Sequence, residues 1–431
     1  MKCPRCGHDN LEVHQFCGGC GTSLSAPTGI GLEAVQDNSI RYHGLDALRG
    51  MAMLLGIVLH AALPYIPNVE AFWPADESSS HAISVIFHFI HIWRMPLFFI
   101  LAGFFANLVI TRKSWTHWWR NRLLRIGLPI IVFSPLMSLA LPWIFKYGRT
   151  GDLAFFYSNE GQPFHLWFLW HLVIFVMLTV IFRFQYLIGS RVLGSLHRTR
   201  LGFIGDAFCK SRPVLSGILF RSRFPIVFII VCLVINFSTG GELILNVGAS
   251  LLYFSFGYSL YRNSSLFVFL KTHWRYYFLA GTFVFILFIV ITLAMASNVP
   301  GDVYDDAQTG AMETEKDIEL LRLLQYVLKI TCGVLFSYAF IGLVEKKFGA
   351  YNARLRFISD GAYWMYLIHL PVVTFITFFM FDLRVPVGIK FLVSIISTFV
   401  ICLGTYKYFV RSSFIGLLLN GNRHPFKITG L

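Results

Sequence analysis

The ionisable side chains inside apolar stretches are the first candidates for chemistry in this sequence. The stretch 45–60 reads LDALRGMAMLLGIVLH, and its only ionisable residues are Asp46, Arg49 and His60. A helix advances about 100° and 1.5 Å per residue, so these side chains share one stripe, with Arg49 and His60 about 16 Å apart along the axis. Asp46 could instead cap the helix and Arg49 could reach the interface. His60 lies deeper, where an ionisable group is a functional hypothesis by default.

Two further apolar stretches carry matching groups. The segment FHFIHIWRMPLFF contains His91 and Arg94, and the segment AYWMYLIHLP contains His369. An arginine near the centre of a membrane helix is costly, so Arg94 needs an anionic or carbonyl partner. A purely structural histidine, hydrogen-bonded to a neighbouring helix, remains the alternative interpretation of His60.

Composition indicates the elements that must position these residues. Of 431 residues, 56% are hydrophobic and only 13% are charged, about half the charged share of a soluble protein, which is about 25%. We therefore predict an all-α polytopic membrane protein, because apolar segments of about 20 residues span a bilayer as helices. About ten transmembrane helices are predicted, at roughly 45–66, 82–110, 122–145, 165–184, 224–239, 243–261, 276–297, 321–344, 358–381 and 386–410.

The distribution of charge predicts the orientation. Most lysines and arginines fall in the N-terminal region, in alternate loops and in the C-terminal tail, whereas the intervening loops are acidic, as in GDVYDDAQTGAMETEKDIE. Under the positive-inside rule both termini are cytoplasmic. The net charge of +14 is then a topology signal and an attraction to membrane lipid, and it predicts no nucleic-acid partner. We expect an integral protein of the bacterial cytoplasmic (inner) membrane.

The amino terminus carries a separate motif. The segment CPRCGHDNLEVHQFCGGCG places Cys3, Cys6, Cys17 and Cys20 as two CxxC pairs, a spacing typical of a zinc ribbon with four thiolate ligands. Four thiolates leave no open position, so we expect structural zinc, and a possible protein partner for the ribbon. The predicted domains are the zinc ribbon at 1–22, a flexible linker at 23–40, a ten-helix membrane domain at 41–411 and a cytoplasmic tail at 412–431.

Five motifs in this order resemble a known family. They are LDALRG followed by His60, then RMPLFFILAGF, RNRLLRIGLP, HLWFLWHL and GAYWMYLIHLP. Together they are similar to the acyltransferase-3 family of integral membrane O-acyltransferases, and within it to the glucan biosynthesis protein C-like branch. Family members commonly have Ser-Gly after the phenylalanine run, where this sequence has Ala102-Gly103, so no hydroxyl is assigned a role there.

The resemblance implies a reaction and roles for the residues. It implies transfer of an acetyl or succinyl group from cytoplasmic acyl-CoA to a hydroxyl of a carbohydrate or glycan acceptor. His60 would be catalytic, as general base or transient acyl carrier, and Arg94 would stabilise charge. Asp46 and Arg49 would line the donor entrance, with His91 and His369 as further substrate-binding residues.

Two other functions remain open at this stage. A transporter or flippase would also place histidine, arginine and aspartate inside its spans. It would commonly show inverted repeats with broken helices, and no such pairing is visible between the two halves. A membrane sensor carrying the zinc ribbon is the other alternative, although the intramembrane His60 and Arg94 argue against an inert scaffold.

Overall fold

The computed structural model describes residues 42–158, 164–196, 217–297 and 311–420, and within these ranges it contains helices and no strand. The predicted zinc ribbon and linker lie outside the described residues. The four-cysteine zinc site, the linker and the proposed partner of the ribbon therefore stay predictions.

The described helices follow the predicted apolar segments. In chain order they are α1 His43–Ala62, α2 His81–Arg112, α3 Trp115–Arg122, α4 Leu128–Thr150, α5 Trp167–Leu196, α6 Ile226–Asn236, α7 Val247–Arg262, α8 Ser264–Ser297, α9 Ala311–Lys347, α10 Ala353–Phe379, α11 Val387–Thr405 and α12 Phe414–Asn420. A π-helical turn, Leu123–Gly127, makes α3 and α4 one continuous unit.

Eight helical segments in the described ranges are long and apolar enough to cross a membrane. The chain is therefore an integral membrane protein. The predicted segments 224–239 and 243–261 do form helices, but α6 has 11 residues and α7 has 16. The prediction of ten full-length spans overestimated both, because an apolar window does not show where the turn between them begins. That turn uses Gly240 and Gly241, whose positive φ angles of 56° and 82° suit glycine.

Small residues let the inner helices approach closely. A Cβ on Gly103 of α2 would overlap the Phe254 carbonyl of α7, and one on Gly257 would overlap the Ile100 carbonyl. On α1, Gly50 packs against Ser359 of α10. Such contacts between small residues replace the hydrophobic driving force that lipid does not supply. The α2–α7 and α1–α10 pairs consequently form the centre of the bundle.

Aromatic and aliphatic side chains fill that centre, whereas outward faces remain apolar. Phe99, Phe104 and Phe336 are almost fully buried, while Phe283 of α8 and Val400 of α11 are 63% and 61% exposed. Exposed apolar helix faces of this kind suit contact with lipid chains.

The loop between α1 and α2 folds back over the end of α1. The backbone N–H of Asp76 donates to the Pro64 carbonyl, and that of Ser80 donates to the Tyr65 carbonyl. Lys390 of α11 donates to the Asp76 carboxylate over 2.6 Å and to the Phe381 carbonyl over 2.9 Å. The two charged side chains are only 4% and 1% exposed, so this buried ion pair ties the loop to α11.

Loss of this ion pair should destabilise the fold. Lys390→Met should cost about 3–5 kcal/mol, because it leaves the Asp76 carboxylate buried without its partner, and thermal unfolding in detergent would show a lowered midpoint. Lys146→Met is the matched control, since it breaks an ion pair of equal length, 2.6 Å, with the more exposed Asp152. That control should change the midpoint little. Equal destabilisation by the two variants would contradict the assigned role.

Candidate active site

Three histidines from separate segments meet at the centre of the bundle. His60 comes from the last turn of α1, His369 from the middle of α10, and His165 from the short turn before α5. The ring centroid of His369 lies 5.3 Å from that of His60 and 5.3 Å from that of His165. We call these three residues the histidine cluster. In the described ranges, no group of three His, Cys, Asp or Glu has a geometry that could hold a metal ion.

Backbone carbonyls assign the tautomers of two of these rings. Nδ1 of His369 lies 2.8 Å from the Tyr366 carbonyl and 3.0 Å from the Met365 carbonyl. Because a carbonyl only accepts, Nδ1 carries the proton and Nε2 keeps its lone pair. Nε2 of His165 donates to the same Tyr366 carbonyl over 3.1 Å, which leaves Nδ1 of His165 unprotonated. The cluster therefore presents proton acceptors inside an apolar bundle.

Arg94 of α2 lies beside this cluster, against α1. A Cβ placed on Gly56 would overlap Nη1 of Arg94 and would lie 3.5 Å from Nε2 of His369. Nε of Arg94 is buried without a hydrogen-bond partner among the described residues. A cation held this way in the membrane interior is available to a negative charge on a ligand or a reaction intermediate.

A tryptophan from the α1–α2 loop covers His60. The rings of Trp73 and His60 are stacked, with centroids 6.3 Å apart and planes inclined by 20°. Trp73 also meets Phe145 of α4 edge-on, at 4.7 Å. Nδ1 of His60 is buried and has no hydrogen-bond partner among the described residues. The Asp76–Lys390 pair fixes the loop that carries Trp73, so it indirectly shapes the surroundings of His60.

The beginning of α1 forms the mouth of the site. Arg49 pairs with Asp46 at 3.4 Å, and Arg356 of α10 bridges Asp46 at 3.3 Å and Asp360 at 2.8 Å. The Ser359 hydroxyl donates to the Asp46 carbonyl over 2.8 Å. Asp46 and Arg49 thus lie near the beginning of α1 in the wall of a cavity, and a network with α10 holds Asp46.

This mouth opens into a cavity of about 500 Å³. Its wall carries five arginines, and we call it the arginine cavity after them: Arg49, Arg112, Arg122, Arg125 and Arg356. The two acidic residues in the same wall are Asp46 and Asp360. Its apolar lining includes Met53 on α1 and Ala102 on α2, so the cavity runs from the mouth along the helices that carry His60 and Arg94.

His91 lies apart from these residues. It lines a second cavity of about 160 Å³, together with Trp167, Glu242 and Lys329. We call this the Glu242 cavity. Its lining shares no residue with the arginine cavity. The structure therefore brings together His60, Arg94 and His369, places Asp46 and Arg49 at the mouth, and puts His91 in a different compartment.

Comparison with known proteins gives this geometry a family. A family model described as an acyltransferase domain matches residues 42–407. The chain belongs to the acyltransferase-3 family. Glucans biosynthesis protein C of Salmonella typhi is 23% identical over 395 residues, covering 88% of this chain and 95% of that protein. Glucans biosynthesis protein C of Escherichia coli (strain K12) is 23% identical over 413 residues, covering 88% and 94%. No solved structure matches.

The chain is accordingly a membrane acyltransferase, and the geometry suits acyl transfer. Such a reaction needs a group that accepts the proton of the attacking nucleophile and a positive group near the developing oxyanion. Nε2 of His369 and the Arg94 guanidinium are the polar groups beside Gly56. The family assignment disfavours the transporter and sensor alternatives.

Sequence reasoning missed several residues of this acyltransferase site. His165 received no role, although it lies in the HLWFLWHL motif, and it joins the cluster through Tyr366. Arg122 and Arg125 belong to the RNRLLRIGLP motif but received no role. Arg356 was not singled out, because its partner Asp46 lies 310 residues earlier in the chain. The sequence did contain a signal for these arginines, because each of the neighbouring helices has an arginine near one of its ends.

Gly56 tests whether the position of Arg94 matters. Gly56→Ala should leave the fold intact, because the overlapping atom is the end of a flexible side chain. The displaced guanidinium should nevertheless lower acyl transfer about 100-fold. Gly404→Ala is the control, because no atom lies within 4 Å of the added methyl. Steady-state transfer rates compare the two, and undiminished activity in Gly56→Ala would contradict this placement of Arg94.

Proposed function

We propose that the chain transfers an acetyl or succinyl group from acyl-CoA to a hydroxyl of a carbohydrate acceptor. The observation that carries this proposal is the arginine cavity, which runs from the mouth towards the histidine cluster and Arg94. Its lining reaches Met53 on α1 and Phe98 on α2, so a cationic chamber suited to a phosphorylated donor ends about one helical turn from Gly56 and Arg94.

The donor fits the chemistry of the arginine cavity. CoA carries several phosphate charges, and arginine binds phosphate oxygens through paired hydrogen bonds. Asp46 and Asp360 engage Arg49 and Arg356, whereas Arg122 and Arg125 form no ion pair within the described residues and are proposed to meet the phosphates. Arg49 and His60 are eleven residues apart, or about 16 Å along α1, a distance that the pantetheine arm is proposed to cover.

The reaction follows from the groups around Gly56. In the proposed step, His60 accepts the proton of the acceptor hydroxyl, and the oxygen attacks the thioester carbonyl carbon. Arg94 stabilises the resulting oxyanion. The carbon–sulfur bond then breaks, and the CoA thiolate leaves with the proton returned by His60. His369, whose Nδ1 is held by two carbonyls, supports the polar surroundings without being charged itself.

The acceptor and the orientation are inferred from other observations. Relatives named Glucans biosynthesis protein C cover most of the chain, which supports a glucan as the acceptor. The excess of lysine and arginine in the N-terminal region and alternate loops supports cytoplasmic termini and a bacterial inner membrane location. The mouth, at the beginning of α1, would then face the cytoplasmic pool of acyl-CoA.

The catalytic assignments can be tested by following the label from acetyl-CoA or succinyl-CoA in purified protein. His60→Ala should lower transfer about 10²–10⁴-fold through loss of the base. Arg94→Gln should lower it about 10²–10³-fold through loss of oxyanion stabilisation. Full activity in His60→Ala would contradict its role as the base. Label that stays on the wild-type protein after rapid desalting at neutral pH without acceptor, and is absent from His60→Ala, would replace that role with a transient acyl carrier.

Donor binding can be tested within a single helical unit. Arg122→Gln should raise KM for acyl-CoA about tenfold, because it removes a charged hydrogen bond to a phosphate. Arg120→Gln, two residues away, removes the same charge from an exposed position that does not line the cavity, and KM should stay unchanged. Similar values of KM in the two variants would indicate a general effect of charge and would contradict a phosphate site at Arg122.

A further inference from the structure

The Glu242 cavity contains a charged cluster that the proposed transfer step does not use. Lys329 of α9 forms an ion pair with Oε1 of Glu242, and Nε2 of His91 lies 3.9 Å from Oε2. Gly240 and Gly241 form the turn that precedes Glu242. Side chains from α2 and α9 thus converge on one carboxylate of the α6–α7 turn.

The charge state of this carboxylate is well defined. Burial would by itself raise the pKa of Glu242, but the neighbouring His91 and the charge of Lys329 outweigh it and hold the pKa at about 2. Glu242 is therefore ionised throughout the physiological range. Its side chain is nevertheless 44% exposed, and a carboxylate offers about four acceptor positions, more than its two partners occupy.

The partly exposed ion pair between Lys329 and Glu242 contributes little to stability. It nevertheless lines a cavity. The volume of about 160 Å³ is close to that of a cavity of about 150 Å³ known to hold a benzene ring. The wall adds the aromatic residues Trp167 and Tyr253 to the polar cluster. Apolar and aromatic walls with a few convergent polar groups are typical of small-molecule sites.

The cavity is also close in the chain to the reacting groups. His91 precedes Arg94 by three residues, or about 4.5 Å along α2, and Trp167 follows His165 by two residues. The arginine cavity meets α2 further along, at Phe98, Leu101 and Ala102. The two cavities therefore meet successive parts of α2, and Arg94 lies on the same helix.

We propose that Glu242, Lys329 and His91 form an acceptor subsite that binds the hydroxyls of one sugar ring. The Glu242 carboxylate accepts hydrogen bonds from two hydroxyls, Lys329 donates to a ring or hydroxyl oxygen, and an aromatic wall packs against the apolar face of the ring. This subsite rests on the proposed function, because it supplies the carbohydrate whose hydroxyl attacks the thioester. It also gives His91 a role on the acceptor side of the enzyme.

The test uses the full chain in detergent, radiolabelled acetyl-CoA or succinyl-CoA, and glucose tetrasaccharides of α- and β-linkage as acceptors. Glu242→Gln should raise KM for the tetrasaccharide tenfold or more, as expected for loss of a charged hydrogen bond. KM for acyl-CoA should stay as in the wild type. Glu77→Gln, an exposed carboxylate of the α1–α2 loop, is the control and should change neither value.

Exchanging the charges of Glu242 and Lys329 distinguishes a role in sugar recognition from a purely structural ion pair. The double variant Glu242→Lys/Lys329→Glu keeps an ion pair between the two positions, so a purely structural role predicts wild-type melting temperature and wild-type acceptor KM. The subsite predicts a raised acceptor KM even where the melting temperature is restored. A wild-type acceptor KM in Glu242→Gln, or its recovery in the double variant, would overturn the subsite.

The same assay distinguishes a failure of the subsite from a failure of the proposed function. A wild-type enzyme that acylates the tetrasaccharide, with an unchanged Glu242→Gln variant, refutes only the subsite. A wild-type enzyme that leaves both donors intact and acylates neither tetrasaccharide refutes the proposed function and the subsite with it.

Discussion

A guanidinium held in an apolar bundle is the constraint on which this structure depends. The cost of placing Arg94 there is high, and the fold accommodates it by removing a side chain at Gly56 rather than by supplying a carboxylate within the described residues. Because no carboxylate of the described residues pairs with it, the positive charge can meet the oxyanion in the acyl-transfer step that we propose. The neighbouring rings of His369 and His165 each direct one nitrogen to a backbone carbonyl, so in their neutral forms they add lone pairs rather than a second cation.

The surrounding architecture separates the two substrates of such a reaction. Five arginines and two acids line the larger cavity, which suits a polyanionic donor, whereas the smaller cavity pairs its carboxylate with a lysine and a histidine. A neutral polyol needs both donors and acceptors, and a phosphorylated cofactor needs mainly donors. The difference in charge between the cavities is therefore a physical basis for the proposed separation of donor and acceptor.

Much of the helical fold, and part of the site, could be predicted from sequence. The cost of ionisable groups in lipid singled out His60, Arg94 and His369, because that cost acts on each residue locally. The helical period placed Asp46 and Arg49 on one stripe. Neither argument shows which helices are neighbours, so the bridge from Arg356 to Asp46 and the approach of His165 to Tyr366 were not foreseen. The lengths of α6 and α7 were overestimated because hydropathy is continuous across the glycine turn that divides them.

The α1–α2 loop links stability to chemistry in one short segment. Trp73 stacks on His60, and Asp76, three residues later, is held by Lys390 and by the Pro64 carbonyl. A charged pair buried this deeply repays its desolvation only with good geometry and further hydrogen bonds, and Lys390 has such a bond to the Phe381 carbonyl. The same pair that fastens α11 to the loop therefore keeps an aromatic ring over the proposed base.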